Sequence, residues 1–149
     1  MQSRLLEFVT GIESSVQPDA GTPSLANDLI TKGYADARYA DVIEGSHSSP
    51  YSVIAGTTIP FAVGFPYIKK YIQGSAGPVT LTANPRIQAG TFEGQQIMLI
   101  GCSDTNTVSI DTGNGLIKNG LDVMVDNSIT IYNWDAAQAK WVEVSRNNL

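Results

Sequence analysis

Acidic and amide side chains between residues 104 and 114 are the first candidates for chemistry in this sequence. They are Asp104, Asn106, Asp111 and Asn114. Carboxylate and amide oxygens are ligands that Ca²⁺ prefers, but this spacing does not match the loop of a calcium-binding helical hand. Asp and Asn also serve turns, because their side chains bond to the nearby backbone and tolerate positive φ. We therefore predict turn residues here and no metal site.

The residue types that usually perform acid–base or nucleophilic catalysis are scarce. His47 is the one histidine, and it lies in a polar stretch that predicts a solvated loop. Cys102 is the one cysteine, so no internal disulfide can form, and its position after an apolar run predicts a small buried side chain. The sequence has no Gly-rich phosphate loop after a strand and no serine in a nucleophile elbow. We predict that the protein is not an enzyme and has no cofactor.

Aromatic rings offer another kind of site, because they can stack on sugars. The four candidates for contact with a glycan are Tyr67, Tyr71, Trp134 and Trp141. In small β-domains, alternating aromatic residues are more often part of a core or an interface. Both interpretations stay open at this stage.

The charge of the chain excludes nucleic acid as a partner. The sequence has 9 basic and 14 acidic residues, and Lys69 and Lys70 form its longest basic run. Phosphate binding needs clustered Lys and Arg side chains.

The sequence also lacks an apolar run of roughly 18 residues and the pattern of a secretory signal. We expect synthesis in a cytoplasm, without insertion into a membrane.

Residues 1–16 predict an amphipathic helix, which we interpret as an anchoring arm. Its apolar stripe consists of Leu5, Phe8, Val9, Ile12 and Val16. A helix of about a dozen residues is marginal in water by itself, so this stripe must dock on another surface. It packs either on its own oligomer or, as we favour, on a larger assembly. Residues 17–23, with two prolines and a glycine, predict a linker.

Residues 24–46 predict a helical oligomerisation stem, with the helix itself over residues 25–40. Ser24 is a favourable N-cap residue. Apolar and small residues recur at alternating steps of four and three, which is the spacing of a coiled-coil seam. The seam consists of Ala26, Ile30, Gly33, Ala37 and Ala40. Because it spans only about two heptads, we expect it to associate when a larger element also holds the chains together.

Residues 59–149 predict a small β-rich knob, joined to the stem by a linker over residues 47–58. Residues 97–100 are apolar on both faces, which is typical of a central strand. Further strands are predicted at 79–83, 107–111, 116–118, 121–125, 128–134 and 140–145. Turn residues separate the later strands, and Asn119 with Gly120 is the strongest hairpin signal. The pattern predicts an antiparallel β-meander.

Residues 29–36, with the sequence Leu-Ile-Thr-Lys-Gly-Tyr-Ala-Asp, resemble a short segment that recurs in bacteriophage fibre and appendage proteins. In that family the segment lies just before a trimeric β-rich head. The stretches 81–87, 94–101, 104–110 and 141–146 are similar to the small C-terminal β-domain of such proteins. The family is structural and adhesive, and it has no shared catalytic residues. The resemblance implies a homotrimer on the virion surface.

We therefore expect a mainly β protein with a helical arm, a short trimeric coiled-coil stem and knobs packed or intertwined around a threefold axis. Small seam residues and the resemblance favour three chains over two. The favoured function is a capsid decoration or head fibre that joins other virion proteins through residues 1–20. The alternative is the tip of a tail fibre that recognises a host polysaccharide. A hydrolase or lyase acting on that polysaccharide is disfavoured, because the sequence shows no carboxylate-rich groove.

Overall fold

The computed structural model describes residues 41–147, which form a mainly β domain. Its ten strands are β1 (Val42–Glu44), β2 (Tyr51–Val53), β3 (Tyr67–Gly74), β4 (Val79–Thr80), β5 (Gln96–Gly101), β6 (Val108–Ile110), β7 (Leu116–Ile117), β8 (Asp122–Met124), β9 (Ile129–Asp135) and β10 (Lys140–Asn147). This part of the chain contains no helix long and apolar enough to cross a bilayer. The predicted arm, its linker at 17–23 and the stem helix at 25–40 lie outside the described residues.

Two sheets form the domain. The large sheet has seven strands in the order β1-β3-β5-β9-β10-β7, and β2 pairs with β3 beyond the end of β1. The small sheet has the order β4-β6-β8. Strand β5 is hydrogen-bonded on both sides, to β3 in parallel and to β9 in antiparallel orientation. The prediction of a central strand at 97–100 is therefore confirmed.

From β3 to β9 the chain changes sheet at every step, so the predicted meander is wrong. Strand β6 pairs with β8 in the small sheet, whereas β7 pairs in parallel with β10 in the large one. Gly120 has a φ of 73°, as a turn at Asn119 and Gly120 requires, but the turn connects strands of different sheets. Turn residues fix where the chain reverses. Which sheet the next strand joins depends on where its apolar face becomes buried.

Strands β1 and β2 lie where a stem end and a linker were predicted. Val42 to Glu44 pair with Ile68 to Lys70, so the β-domain begins well before residue 59. The Nζ of Lys70, a residue only 5% exposed, is 2.6 Å from Oε2 of Glu44, whose Oε1 accepts the N–H of Ala62. A buried ion pair is disrupted at high cost when one partner is removed. These contacts fix β1 as part of the domain.

The core lies on one face of the large sheet, where the small sheet and the connecting loops cover it. Trp141, Tyr132 and several branched aliphatic residues are fully buried there. The side chains of β3 and β9 alternate between buried and accessible positions along each strand. This alternation follows from the pleat of a β-strand, and it assigns every second residue to the opposite face of the sheet.

Candidate functional site

The face of the large sheet that points away from the core is the main surface candidate, and we call it the outer face. On β9 the half-buried residues Ile129, Ile131 and Asn133 alternate with buried residues of the core. Ile100 on β5 also belongs to this face, because it lies outside the core cluster although it is only 7% exposed. An antiparallel sheet with one solvated face usually carries polar residues there. Here isoleucines occupy several of these positions.

Strand register aligns the outer-face side chains in three rows across the sheet. The first row consists of Ile43, Lys69, Met98 and Ile131. The second consists of Tyr71, Ile100 and Ile129. The third consists of Tyr67, Gln96, Asn133, Val142 and Ile117. Most of these side chains are apolar or aromatic, and within residues 41–147 no second layer covers them.

A groove of about 310 Å³ lies at the β1 side of the outer face. Its lining consists of Asp41, Ile43, Tyr67, Ile68, Lys69, Gln96 and Met98. Ile43 is 63% exposed and Tyr67 is 51% exposed. Nε2 of Gln96 donates to Oδ1 of Asn133 at 3.0 Å, which orients the amide at the groove's edge. The groove therefore combines apolar surface with a carboxylate, an ammonium group and an amide.

The groove lining does not combine a nucleophile with a base. Asp41 is its one carboxylate, and the lining includes no serine, cysteine or histidine. Within the described residues, no three His, Cys, Asp or Glu side chains come together to hold a metal ion. The chemistry that this groove offers is contact and hydrogen bonding.

Three of the four side chains that could suggest calcium bond to the backbone, Asp111 locally and Asp104 and Asn114 to distant loops. Oδ1 of Asp104 accepts the N–H of Asp126 at 3.1 Å, and Oδ1 of Asp111 accepts the N–H of the next residue at 2.7 Å. Asn114 has a φ of 47°, and its Nδ2 donates to the carbonyl of Ala83 at 3.0 Å. Carboxylates and amides near turns commonly bond to the backbone in this way.

The four aromatic candidates for glycan contact separate into two groups. Trp141 is fully buried and Trp134 is 7% exposed, with ring centroids 5.2 Å apart. Nε1 of Trp141 donates to the carbonyl of Gln88 at 2.8 Å. Both tryptophans belong to the core and do not present a ring face to a sugar. Tyr67 and Tyr71 lie on the outer face, where the Nζ of Lys69 is 5.3 Å from the centroid of the Tyr71 ring.

His47 lies in the exposed turn between β1 and β2. Its Nε2 is 2.6 Å from Oδ1 of Asp126, in the turn between β8 and β9, and its side chain is 53% exposed. A histidine with one exposed carboxylate partner is not a catalytic arrangement by itself, because acid–base work also needs a substrate site next to it. The pair joins two turns at the surface.

Cys102 follows β5, and burial raises the pKa of its thiol. Because the thiolate is the reactive form, a raised pKa lowers reactivity at neutral pH. We expect the folded protein to react with a disulfide reagent such as DTNB at pH 7.5 several-fold more slowly than the urea-unfolded chain. The absorbance of the released thiolate measures both rates. Equal rates would contradict the shielding of Cys102.

Comparison with known proteins yields no family assignment. No family model matches the chain, and no curated protein matches it in sequence. Membership of the phage fibre and appendage family therefore stays a prediction from the residues quoted above.

Sequence reasoning missed the residues that define the outer face, above all Met98, Ile129 and Ile131. A signal was present, because residues 97–100 are apolar on both faces and isoleucines alternate along residues 129–131. It indicated a strand enclosed on both sides. The pattern did not identify which face of the strand packs in the core of its own chain and which face is left for another contact.

Proposed function

We propose that the protein is a structural component of a bacteriophage virion, a homotrimeric surface appendage of the capsid decoration or head fibre type. In this proposal the N-terminal arm attaches the trimer to other virion proteins, and the β-domain forms a knob. One observation of the structure supports it most, which is the apolar outer face of the large sheet. The sequence resemblance supplies the virion context.

The outer face has the properties of a subunit interface. Contiguous apolar surface, such as the face that residues 41–147 leave open, is typical of surfaces that bind a partner. Burying such surface contributes about 25 cal/mol per Å², so side chains such as Ile43 and Met98 stabilise an oligomer more than a monomer. Asp41 and Lys69 carry opposite charges on the rim of the groove, which suits contact between two copies of one chain.

The occupant that we assign to the outer face is a second copy of the chain. Asp41 directly follows the predicted stem helix, and it lines the groove of the outer face. Strand β1 contributes Ile43 to the outer face, beside Lys69 of β3. This apolar side chain is 63% exposed, so it is available for contact with another copy.

A second candidate function is recognition of a host-surface polysaccharide, as at the tip of a tail fibre. The groove favours it, because Tyr67 offers an aromatic ring beside Asp41, Lys69 and Gln96. Ligand sites commonly combine an apolar wall with a few polar groups that fix orientation. The two functions compete for one face, since packing of copies would cover Tyr67. Binding of the intact oligomer to a glycan array would favour the second function.

Deletion of residues 1–20 is expected to keep the protein out of the particle while leaving the β-domain folded. The reason is that the apolar stripe Leu5 to Val16 lies within the deleted segment and outside the knob. Mass spectrometry of gradient-purified particles, from the phage that encodes the chain, measures incorporation of full-length and truncated protein supplied in trans. The full-length chain is the control.

Two results would contradict the proposal. Absence of the full-length chain from the particles would refute a virion component. Equal incorporation of the truncated chain would show that residues 1–20 are not the anchor. Circular dichroism of the truncated protein establishes that its β-structure is retained.

A further inference from the structure

Six polar side chains form a cluster inside the domain, remote from the outer face. They are Lys118, Asp122, Thr130, Tyr132, Glu143 and Arg146. Asp122, Thr130 and Tyr132 have no exposed surface at all, and the side chain of Lys118 is equally inaccessible. The cluster joins β8 of the small sheet to β9 and β10 of the large sheet. We call it the inter-sheet cluster.

A β-bulge in β10 directs two of these side chains inward. Glu143 pairs with Tyr132 and Arg146 pairs with Thr130, and the register shifts between Glu143 and Ser145. An extra residue in one strand changes which side chains face the core. Because of it, residues three positions apart both face the interior side of the sheet.

The charges of the inter-sheet cluster balance. Nζ of Lys118 is 3.6 Å from Oε2 of Glu143, and it donates to the carbonyls of Ile110 at 3.2 Å and Gly120 at 2.7 Å. Nε of Arg146 is 3.4 Å from Oε1 of Glu143. Asp122 is the second carboxylate, so two negative groups face two positive ones. A cluster without net charge attracts neither a free cation nor an anion.

Three buried atoms of the cluster have no hydrogen-bond partner among residues 41–147. They are Oδ1 of Asp122, Oη of Tyr132 and Oε2 of Glu143. The other carboxylate oxygen of Asp122 accepts from Oγ1 of Thr130 at 2.5 Å. A buried polar group without a partner destabilises a fold, because it has lost its hydrogen bonds to water. Three such atoms in one cluster indicate a shared partner.

We propose that the inter-sheet cluster encloses a structural water molecule, which accepts a hydrogen bond from the Tyr132 hydroxyl and donates to Asp122 Oδ1 and Glu143 Oε2. One donor and two acceptors match the capacity of one water, and buried waters typically make about three hydrogen bonds. The ammonium group of Lys118, 3.6 Å from Oε2 of Glu143, already supplies a positive charge at the site, which disfavours a metal ion there. Burial and the charges of Asp122 and Glu143 raise the pKa of Tyr132, which keeps its hydroxyl protonated as a donor. The water thereby connects the two sheets.

The substitution Tyr132→Phe tests the proposal by the sign of its effect. With the water present, Phe removes its donor, and we expect the melting temperature to fall by roughly 4–8 °C. Without the water, Phe removes a buried hydroxyl that has no partner, and the melting temperature stays the same or rises. The matched control is Tyr51→Phe, which removes a hydroxyl from a half-buried tyrosine outside the cluster. The ring remains in this variant, so it keeps its contact with Lys70, whose Nζ is 4.7 Å from the ring centroid. A fall no larger than that of Tyr51→Phe overturns the proposal.

A crystal structure of the unsubstituted protein gives an independent test, which does not depend on folding of the variant. Density for a water within hydrogen-bond distance of all three atoms is the expected result. An empty site, or a direct hydrogen bond from Tyr132 to Asp122 or Glu143, overturns the proposal.

Discussion

Ile43→Asp is expected to convert the proposed trimer into folded monomers at micromolar concentration. In a monomer the Ile43 side chain is 63% exposed, so a carboxylate there stays hydrated and the domain folds. In the trimer, each copy would bring that carboxylate into the interface, where it loses its hydration and only Lys69 of its own row lies beside it. Taking charges out of water costs several kcal/mol per ion, which one ion pair repays only with excellent geometry. Sedimentation velocity distinguishes the 15.9 kDa chain from its trimer, and circular dichroism checks the fold.

Ile54→Asp is the matched control. Ile54 is 57% exposed and follows β2, outside the three rows of the outer face. The substitution changes charge and hydrophobicity to the same extent, so the difference between the two variants isolates the interface. Three results would contradict the proposal that the outer face is the interface between copies. They are a trimeric Ile43→Asp variant, equal dissociation of both variants, and a monomeric unsubstituted protein.

Trp141→Ala is expected to remove a large part of the stability of the β-domain. Trp141 is fully buried between Phe61 and Trp134, with centroid distances of 5.7 Å and 5.2 Å. Truncating a buried Trp to Ala costs about 3–5 kcal/mol, from a total of about 5–15 kcal/mol in a typical domain. Urea unfolding, followed by circular dichroism, measures the loss.

Trp141→Phe separates packing from the hydrogen bond of the indole. Phe retains much of the apolar contact but leaves the carbonyl of Gln88 without its donor. We therefore expect a loss smaller than that of Trp141→Ala. If Trp141→Ala were as stable as the parent, the core position of this residue would be wrong. If Trp141→Ala abolished binding to a sugar without changing stability, the result would support Trp141 as a glycan contact.

The positions of most strands followed from the sequence, because turn chemistry is local. Asn127 and Gly120 adopt positive φ, at 60° and 73°, as expected from Asn and Gly between short apolar runs. The predicted strand at 128–134 differs from β9 by one residue at each end. A residue that tolerates positive φ indicates a turn without reference to the rest of the chain.

Strand pairing did not follow from the sequence, because it depends on contacts between distant residues. Strands β1 and β2 have three residues each, which is too short for a periodic pattern. Their strand conformation is imposed by pairing with β3, so residues 42–53 read as stem end and linker when taken alone.

The candidate site was predictable only in part. Alternation along residues 129–134 separates two faces, but Ile129 and Trp134 are both compatible with a core or with an interface. The fold decides between them, because Trp134 packs against Trp141 and the backbone at Gly90 on the core face of the sheet. The same ambiguity explains why the tryptophans were grouped with Tyr67, which the fold places at the surface.

The change of sheet at every step from β3 to β9 has a consequence for folding kinetics. Tyr67 pairs with Gln96 and Val79 with Val108, so the chain must close long loops before these ladders form. Among the ten described strands, only β9 and β10 make a local hairpin, which is able to form first. Domains dominated by such distant pairings fold in milliseconds to seconds. During that time unpaired strands are exposed, and such strands pair readily with other chains. Refolding at low protein concentration is therefore expected to give a higher yield of folded domain than refolding at high concentration.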